Sequence, residues 1–317
     1  MKFIPRIAYS LFLAVLAPSQ MRPNGADGTA RFLSAIPEEN QAPAISTPVS
    51  KDERQSCQSA GFSRNRGLFR RWLGLSASVQ PAQPGWLSPL ATTSGRLKRE
   101  FRYDLWTQPA SPGKRTYFFG GNKGLELVTT ARSQVLLGVP TYTLQTPQGP
   151  PGGFGDLPLM LKVRIASAEE SEGNYLLTFL LAATVPTGAH RYGSGAAVLT
   201  PTLAFGKGWR RFDAQSTIAI SLPAASTTRL GRQLLWNTAL QYRAQWKLWP
   251  ELEVNSTFFR TGTNAGQKQT FLTPGAGFGR LRINKDLRFS TAVGMQIAAT
   301  RFHTYNHRWM FSERVSF

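Results

Sequence analysis

From Leu97 to the C-terminal Phe317, apolar and polar side chains alternate residue by residue. They do so in segments of roughly 9–11 residues, the length of a strand that crosses a bilayer. A period of two marks an extended chain with two unlike faces. Asp156–Phe205 carries the pattern most openly. There Leu159, Leu161, Val163 and Ile165 alternate with Met160, Lys162, Arg164 and Ala166, so one face is aliphatic and the other carries long basic side chains. The polar run AEESEG, the apolar NYLLTFLLAATVPTG, a second polar loop and AVLTPTLAF follow. These are amphipathic hairpins, and a long series of them closes into a barrel.

The series is long. Phe101, Tyr103 and Leu105 oppose Glu100, Arg102 and Asp104; Leu125 and Leu127 oppose Glu126; Val135, Leu137 and Val139 share a face. Beyond Phe205, Ile218 and Ile220 oppose Asp213 and Gln215, and Trp236, Leu240, Tyr242 and Trp246 oppose Gln241, Arg243 and Lys247. Leu252, Val254 and Phe258 face away from Glu251 and Glu253, and Trp309, Phe311 and Val315 close the chain with Phe317. Counting gives about twelve strands, with short and long connections alternating as in outer-membrane barrels. TTAR, AEESEG, GKGWRR, LWPE and NKD are the short ones; the long ones include PASPGKRTYFFGG, QGPPGGFG, PAASTTRLGR and HTYNH. The expected fold is therefore all-β: a transmembrane antiparallel barrel over 97–317. Two features resist it. Glu313 falls on the outward face near the chain end, and Pro201 and Pro274 sit inside strands, where they call for bulges or for strands that project beyond the hydrocarbon.

Upstream, Lys2 and Arg6 precede the apolar run Ile7–Ala17, with Ala17 and Ser19 as the small residues of a cleavage site. That order predicts a signal peptide over 1–19. Residues 20–96 form an irregular N-terminal arm, disordered or loosely structured and expected in the periplasm; within 61–99, GLFRRWLG has the pattern of one short amphipathic helix, and a loosely packed plug or arm is the favoured reading of that stretch. Cys57 is the only cysteine, which excludes an internal disulfide or a thiolate cluster. The net charge of +20 brings nucleic acid to mind, but the basic residues alternate singly with apolar ones and form no stripe.

The inward face predicts a lumen lined by Arg102, Asp104, Glu126, Lys162, Arg164, Asp213, Arg243, Lys247, Glu253, Arg282 and Arg288. Such a lining either selects a solute by charge or ties the lumen shut with ion pairs. Lys114, Arg115, Arg191, Arg229 and Arg232 fall in the expected extracellular loops, where they suit outer-leaflet phosphates or anionic solutes. Phe317 is the expected C-terminal assembly signal. His303 and His307 are four apart but in a loop, so no metal site is expected, and no nucleophile–base pair or GxSxG marks a catalytic site.

GFGD at Gly153–Asp156 followed by LPLMLKVRI, TVPTG at Thr184–Gly188, LTPTLAFGKG at Leu199–Gly208, KLWPELEVNSTFF at Lys247–Phe259 and FHTYNHRW resemble the outer-membrane proteins of the meta-pathway phenol-degradation family. The resemblance spans Leu97–Phe317. It implies a transporter-like barrel for a hydrophobic or aromatic solute and brings no catalytic residues. The combined expectation is a monomeric, non-enzymatic barrel in the bacterial outer membrane, a narrow channel or transporter without a cofactor. Its partners are outer-membrane lipid and lipopolysaccharide, the barrel-assembly machinery and a small-molecule solute, with no nucleic acid. A structural or surface-interaction barrel is the alternative, and a lipid hydrolase acting through His303 or His307 a third.

Overall fold

The computed structural model describes residues 79–317 apart from 122, 148 and 190. The signal peptide, Cys57, His190 and the arm up to residue 78 lie outside the described residues.

Among the described residues, fifteen strands form one sheet, and β15 (His307–Ser316) pairs with β1 (Glu100–Ser111), so the sheet closes on itself. Every ladder is antiparallel. Three staves are each broken into two strands: β2 (Lys114–Gly120) with β3 (Gly124–Val128), β4 (Ser133–Gly138) with β5 (Tyr142–Thr146), and β6 (Gly153–Phe154) with β7 (Leu157–Ala168). The others are unbroken: β8 (Tyr175–Val185), β9 (Val198–Trp209), β10 (Phe212–Pro223), β11 (Gln233–Tyr242), β12 (Leu248–Phe259), β13 (Lys268–Arg282) and β14 (Arg288–Ala298). Fifteen strands thus make twelve staves, an all-β barrel as the alternation requires.

Closure follows from the side-chain pattern. Leu161, Phe179, Leu203, Ile218, Leu252 and Val293 point outward and are exposed, while Asp104, Lys162, Thr178, Gln215 and Glu253 are buried on the inner face. On a barrel set in a bilayer, a basic residue facing outward at mid-depth would cost about 2–4 kcal/mol, and one sense of curvature keeps the charges inside. Closure pairs β15 with β1 and leaves only the two-residue β6 with a single neighbour, β5. Glu313 is the outward exception: it lies four residues from the chain end and accepts a hydrogen bond from Thr291 Oγ1 (2.9 Å).

Several expectations shift. PASPGKRTYFFGGN is not a loop: its first residues extend β1 and Lys114–Gly120 returns as β2, joined at Pro112–Gly113. The chain turns after β11 at Gln245–Lys247, ahead of the expected WPE. Trp246 and Lys247 there adopt left-handed backbone, which breaks the alternation, so Trp246 stands 86% exposed at the rim rather than on the outward face of a strand. Neither Pro201 nor Pro274 sits at a bulge. Each keeps one ladder (Leu181↔Pro201, Leu252↔Pro274), while the ladder on its other side lapses over two residues and resumes in the same register. A missing N–H removes one bond without moving the strand. Bulges occur elsewhere, at Pro109/Ser111, Arg164/Ala166 and Phe278/Leu281.

Apart from the two-residue turn between β1 and β2, the short turns lie with the C-terminus at one end of the barrel, called here the base; that turn and the long connections lie at the other, the loop end. A closed ladder of this kind resists detergent unfolding. The folded protein is expected to run apart from the boiled protein on an SDS gel, and identical mobility before and after boiling contradicts closure.

Candidate functional site: a plugged lumen

The lumen is filled by the chain itself. Residues 79–98, which the sequence places at the end of the irregular arm and the start of the barrel, form a loop that enters at the base, rises to about Leu90–Ser94 and returns into β1. Gln83 pins its two limbs together, donating to the Leu97 carbonyl (2.6 Å) and accepting from the Leu97 N–H (3.0 Å). Pro81, Pro84 and Pro89 deny it a regular ladder. Its backbone groups are buried all the same and need partners.

The barrel wall supplies them from all sides. Arg102 on β1 donates to the carbonyls of Pro89 (2.9 Å) and Leu90 (2.5 Å). Arg314 on β15 donates to Pro89 (3.1 Å) and to Ser88. Lys162 on β7 reaches the Ser94 carbonyl (3.1 Å), Thr178 on β8 that of Gly95 (2.8 Å) and Gln215 on β10 that of Leu87 (3.0 Å). Arg280 on β13 donates to Trp86 (3.0 Å) and Gly85. Glu253 on β12 does the reverse. Its two oxygens accept the adjacent N–H groups of Ala91 (2.8 Å) and Thr92 (2.6 Å), and its side chain is wholly buried.

The apolar side chains of the plug fit where the wall has no side chain. A Cβ on Gly277 would come within 2.2 Å of Leu87, one on Gly294 within 2.7 Å of Leu90, and one on Gly206 within 2.7 Å of Trp86. Glycines in β9, β13 and β14 therefore form the sockets that hold Trp86, Leu87 and Leu90, all at most 5% exposed.

Ion pairs complete the wall. Glu126 sits between Lys162 (2.8 Å) and Lys98 (3.5 Å) and accepts from Gln134; Lys98 also pairs with Glu100 (2.6 Å). Arg102 pairs with Asp104 on the same face of β1 (2.8 Å). Buried charges with partners at these distances cost far less than lone ones. Asp213 receives Gln215 (3.0 Å), and Gln241 donates to Glu251 (2.6 Å).

Among the residues expected in the lumen, Arg102, Asp104, Glu126, Lys162, Asp213 and Glu253 are buried there. Arg164 lies near the base, donating to Ala131 (2.8 Å) and Val79 (3.4 Å). Four others do not line the lumen interior. Arg243 lies past the end of β11 and pairs with Glu170 at the rim (2.9 Å). Lys247 is exposed in the turn and donates to Arg280 (3.3 Å). Arg282 and Arg288 are exposed where β13 and β14 end at the base. Of the basic residues expected outside, Lys114 and Arg115 stand in β2 at the loop end, Arg191 and Arg232 are exposed in long connections, and Arg229 donates to Ser194 across two of them. Phe317 donates its N–H to Arg99 (3.2 Å), whose guanidinium lies 5.2 Å from the phenyl ring.

Arg314 and Arg280 escaped the sequence reading for different reasons. Arg314 obeys the alternation, sharing the inward side with Ser312, and was legible. Arg280 was not, because the Phe278/Leu281 bulge and its left-handed backbone (φ 63°) turn it inward against the phase.

At the loop end, Asp156 clamps a connection by accepting from Gly188 N–H (3.0 Å), Ser194 N–H (2.8 Å) and Ser194 Oγ (2.5 Å). Partial burial pushes its carboxyl up, and these donors outweigh that effect and hold its pKa below the usual value. A lowered carboxylate pKa stabilises the clamp above the unfolded-state value, about 3.9, and the contribution fades as pH falls below it. Protection of the Gly188 and Ser194 amides should drop on acidification, and D156N should remove that dependence. In the plug, Glu253→Ala removes the acceptor of two buried N–H groups. Hydrogen exchange at Ala91 and Thr92 should quicken about 10–100-fold, from roughly 1.5–3 kcal/mol per charge-assisted bond.

No protein-family model matches the chain, and no curated protein matches it. Among solved structures it is similar to the COG4313 outer membrane channel from Pseudomonas putida F1, at 12% identity over 73% of this chain and 100% of that one, with a TM-score of 0.49. It is also similar to the NanC porin, at 7% identity over 68% of this chain and 98% of the other, with a TM-score of 0.45.

Proposed function

We propose that the protein is a bacterial outer-membrane barrel that passes a small solute through a narrow lumen, and that the 79–98 loop is its gate. The observation that carries this is the bonding of the lumen charges. Arg102, Lys162 and Glu253, midway up the lumen, all bind backbone groups of that loop, so they are free to meet a solute only when it withdraws. A loop held by side chains can leave without breaking a strand of the wall. A fused strand could not.

The membrane assignment rests on the outward belt, including Leu161, Leu203, Ile218 and Val293, each 41–42% exposed in the absence of lipid. An apolar belt of this extent on a barrel fits hydrocarbon. The resemblance to the meta-pathway phenol-degradation family makes a hydrophobic or aromatic solute the first to test. We read the barrel as non-enzymatic. His303 is turned to its own loop, contacting the Thr300 carbonyl (2.9 Å) and Asn306 (2.6 Å), which gives it no part in a hydrolytic site. The second reading, a structural barrel without transport, is favoured by the same occlusion.

Planar-bilayer recordings separate the two. The intact protein should be nearly silent. Deletion of residues 79–98, or Gly277→Val, which blocks the seat of Leu87, should give discrete conductance steps. Continued silence in both variants, with gel mobility showing a folded barrel, overturns the channel and leaves the structural barrel. Leu203→Arg tests the membrane assignment: unfolding from vesicles should show a loss of about 2–4 kcal/mol, and an unchanged midpoint contradicts a lipid-facing β9.

A further inference from the structure

A cavity of about 890 Å³ opens at the base, between the two limbs of the plug and the ends of β13, β14 and β15. Its lining includes seven basic residues, Arg96, Lys98, Arg99, Arg280, Lys285, Arg288 and Arg314, against two acidic ones, Glu100 and Asp286. Lys98 is balanced by Glu100 and Glu126. The guanidiniums of Arg96, Arg280 and Arg314 are fixed by main-chain carbonyls, Arg96 and Arg280 both on Trp86 and Arg314 on Ser88 and Pro89. A carbonyl satisfies a donor without cancelling its charge, and the lining keeps a clear excess of basic over acidic side chains. Arg96 is only 7% exposed, and its Nε is buried without a hydrogen-bond partner. Trp86 and Leu87 form an apolar wall beside these cations, and Lys285 and Arg288 stand exposed at the mouth.

We propose that this basal cavity is a binding site for a soluble, multiply charged oxyanion of the phosphate type. Planar guanidiniums held at fixed angles match the oxygens of a phosphate group and bind it in a bidentate manner. A recess bounded by low-dielectric walls and lined by one sign of charge concentrates anions. The size is that of an ordinary small-molecule site. Two of the cations lie too deep for a bilayer headgroup: Arg96 and Arg314 are inside the wall, 7% and 1% exposed. The proposal stands on the cavity alone and does not require that the barrel transport anything.

Calorimetric titration of the full-length protein in zwitterionic detergent with inorganic pyrophosphate at low salt tests it. Saturable binding that weakens with ionic strength is expected. The double variant Lys285→Gln/Arg288→Gln, at the mouth and bonded to no part of the plug, should lose about tenfold in affinity or more. The loop-end variant Arg115→Gln/Lys268→Gln should bind as the intact protein does. Absence of saturable binding, or equal losses in both double variants, overturns the site. Displacement of pyrophosphate by phosphatidylglycerol added to the micelles overturns the assignment to a soluble ligand. Gel mobility before and after boiling confirms that each variant is folded, and conductance recordings of the same preparations report separately on the channel.

Discussion

A buried hydrogen-bonding group must find a partner, and that constraint governs the interior of this barrel. The outward face is almost wholly apolar, with Glu313 its exception near the chain end, so nearly all the ionic side chains of the strands point inward. Once inside, they need counterparts. Part of the need is met across the wall, with Glu126 between Lys162 and Lys98 and Arg102 beside Asp104. The rest is met by a loop whose prolines leave it without a ladder of its own. Its carbonyls and N–H groups are what the wall lacks. Wall and plug each supply the partners the other requires.

Shape follows the same division. Glycines on the inner face of β9, β13 and β14 would be a weakness in strands that packed only against water. Here they make room for Trp86, Leu87 and Leu90. Polar bonds fix the height of the loop in the lumen, and these sockets fix its rotation. The plug is therefore held by many modest interactions around a ring rather than by one latch.

The base and the loop end differ in kind. At the loop end, connections are tied by single hydrogen-bonding side chains, as at Asp156 and Arg229. At the base, positive charge gathers around the entry of the plug, and two of the arginines that hold the plug also line the cavity, Arg280 and Arg314. Anchoring and the charged recess thus share residues, a consequence of the chain entering the lumen beside its own C-terminus.

Much of this was legible in the sequence. A period of two names the inward residues wherever the strand is regular: Arg102, Asp104, Glu126, Lys162, Asp213 and Glu253 are buried inside the barrel, and Glu313 is exposed on the outer side. Phase was lost where the backbone leaves the extended region. The turn at Gln245–Lys247 carried Arg243 and Lys247 to the rim, and the bulge before Leu281 brought Arg280 in. The position of residues 79–98 had no local signature at all, because an irregular proline-rich segment takes its conformation from distant partners. Alternation, a property of each residue and its neighbours, determined the wall; only the tertiary structure, which brings β1, β7, β8, β10, β12, β13 and β15 around one loop, decided that the lumen is closed.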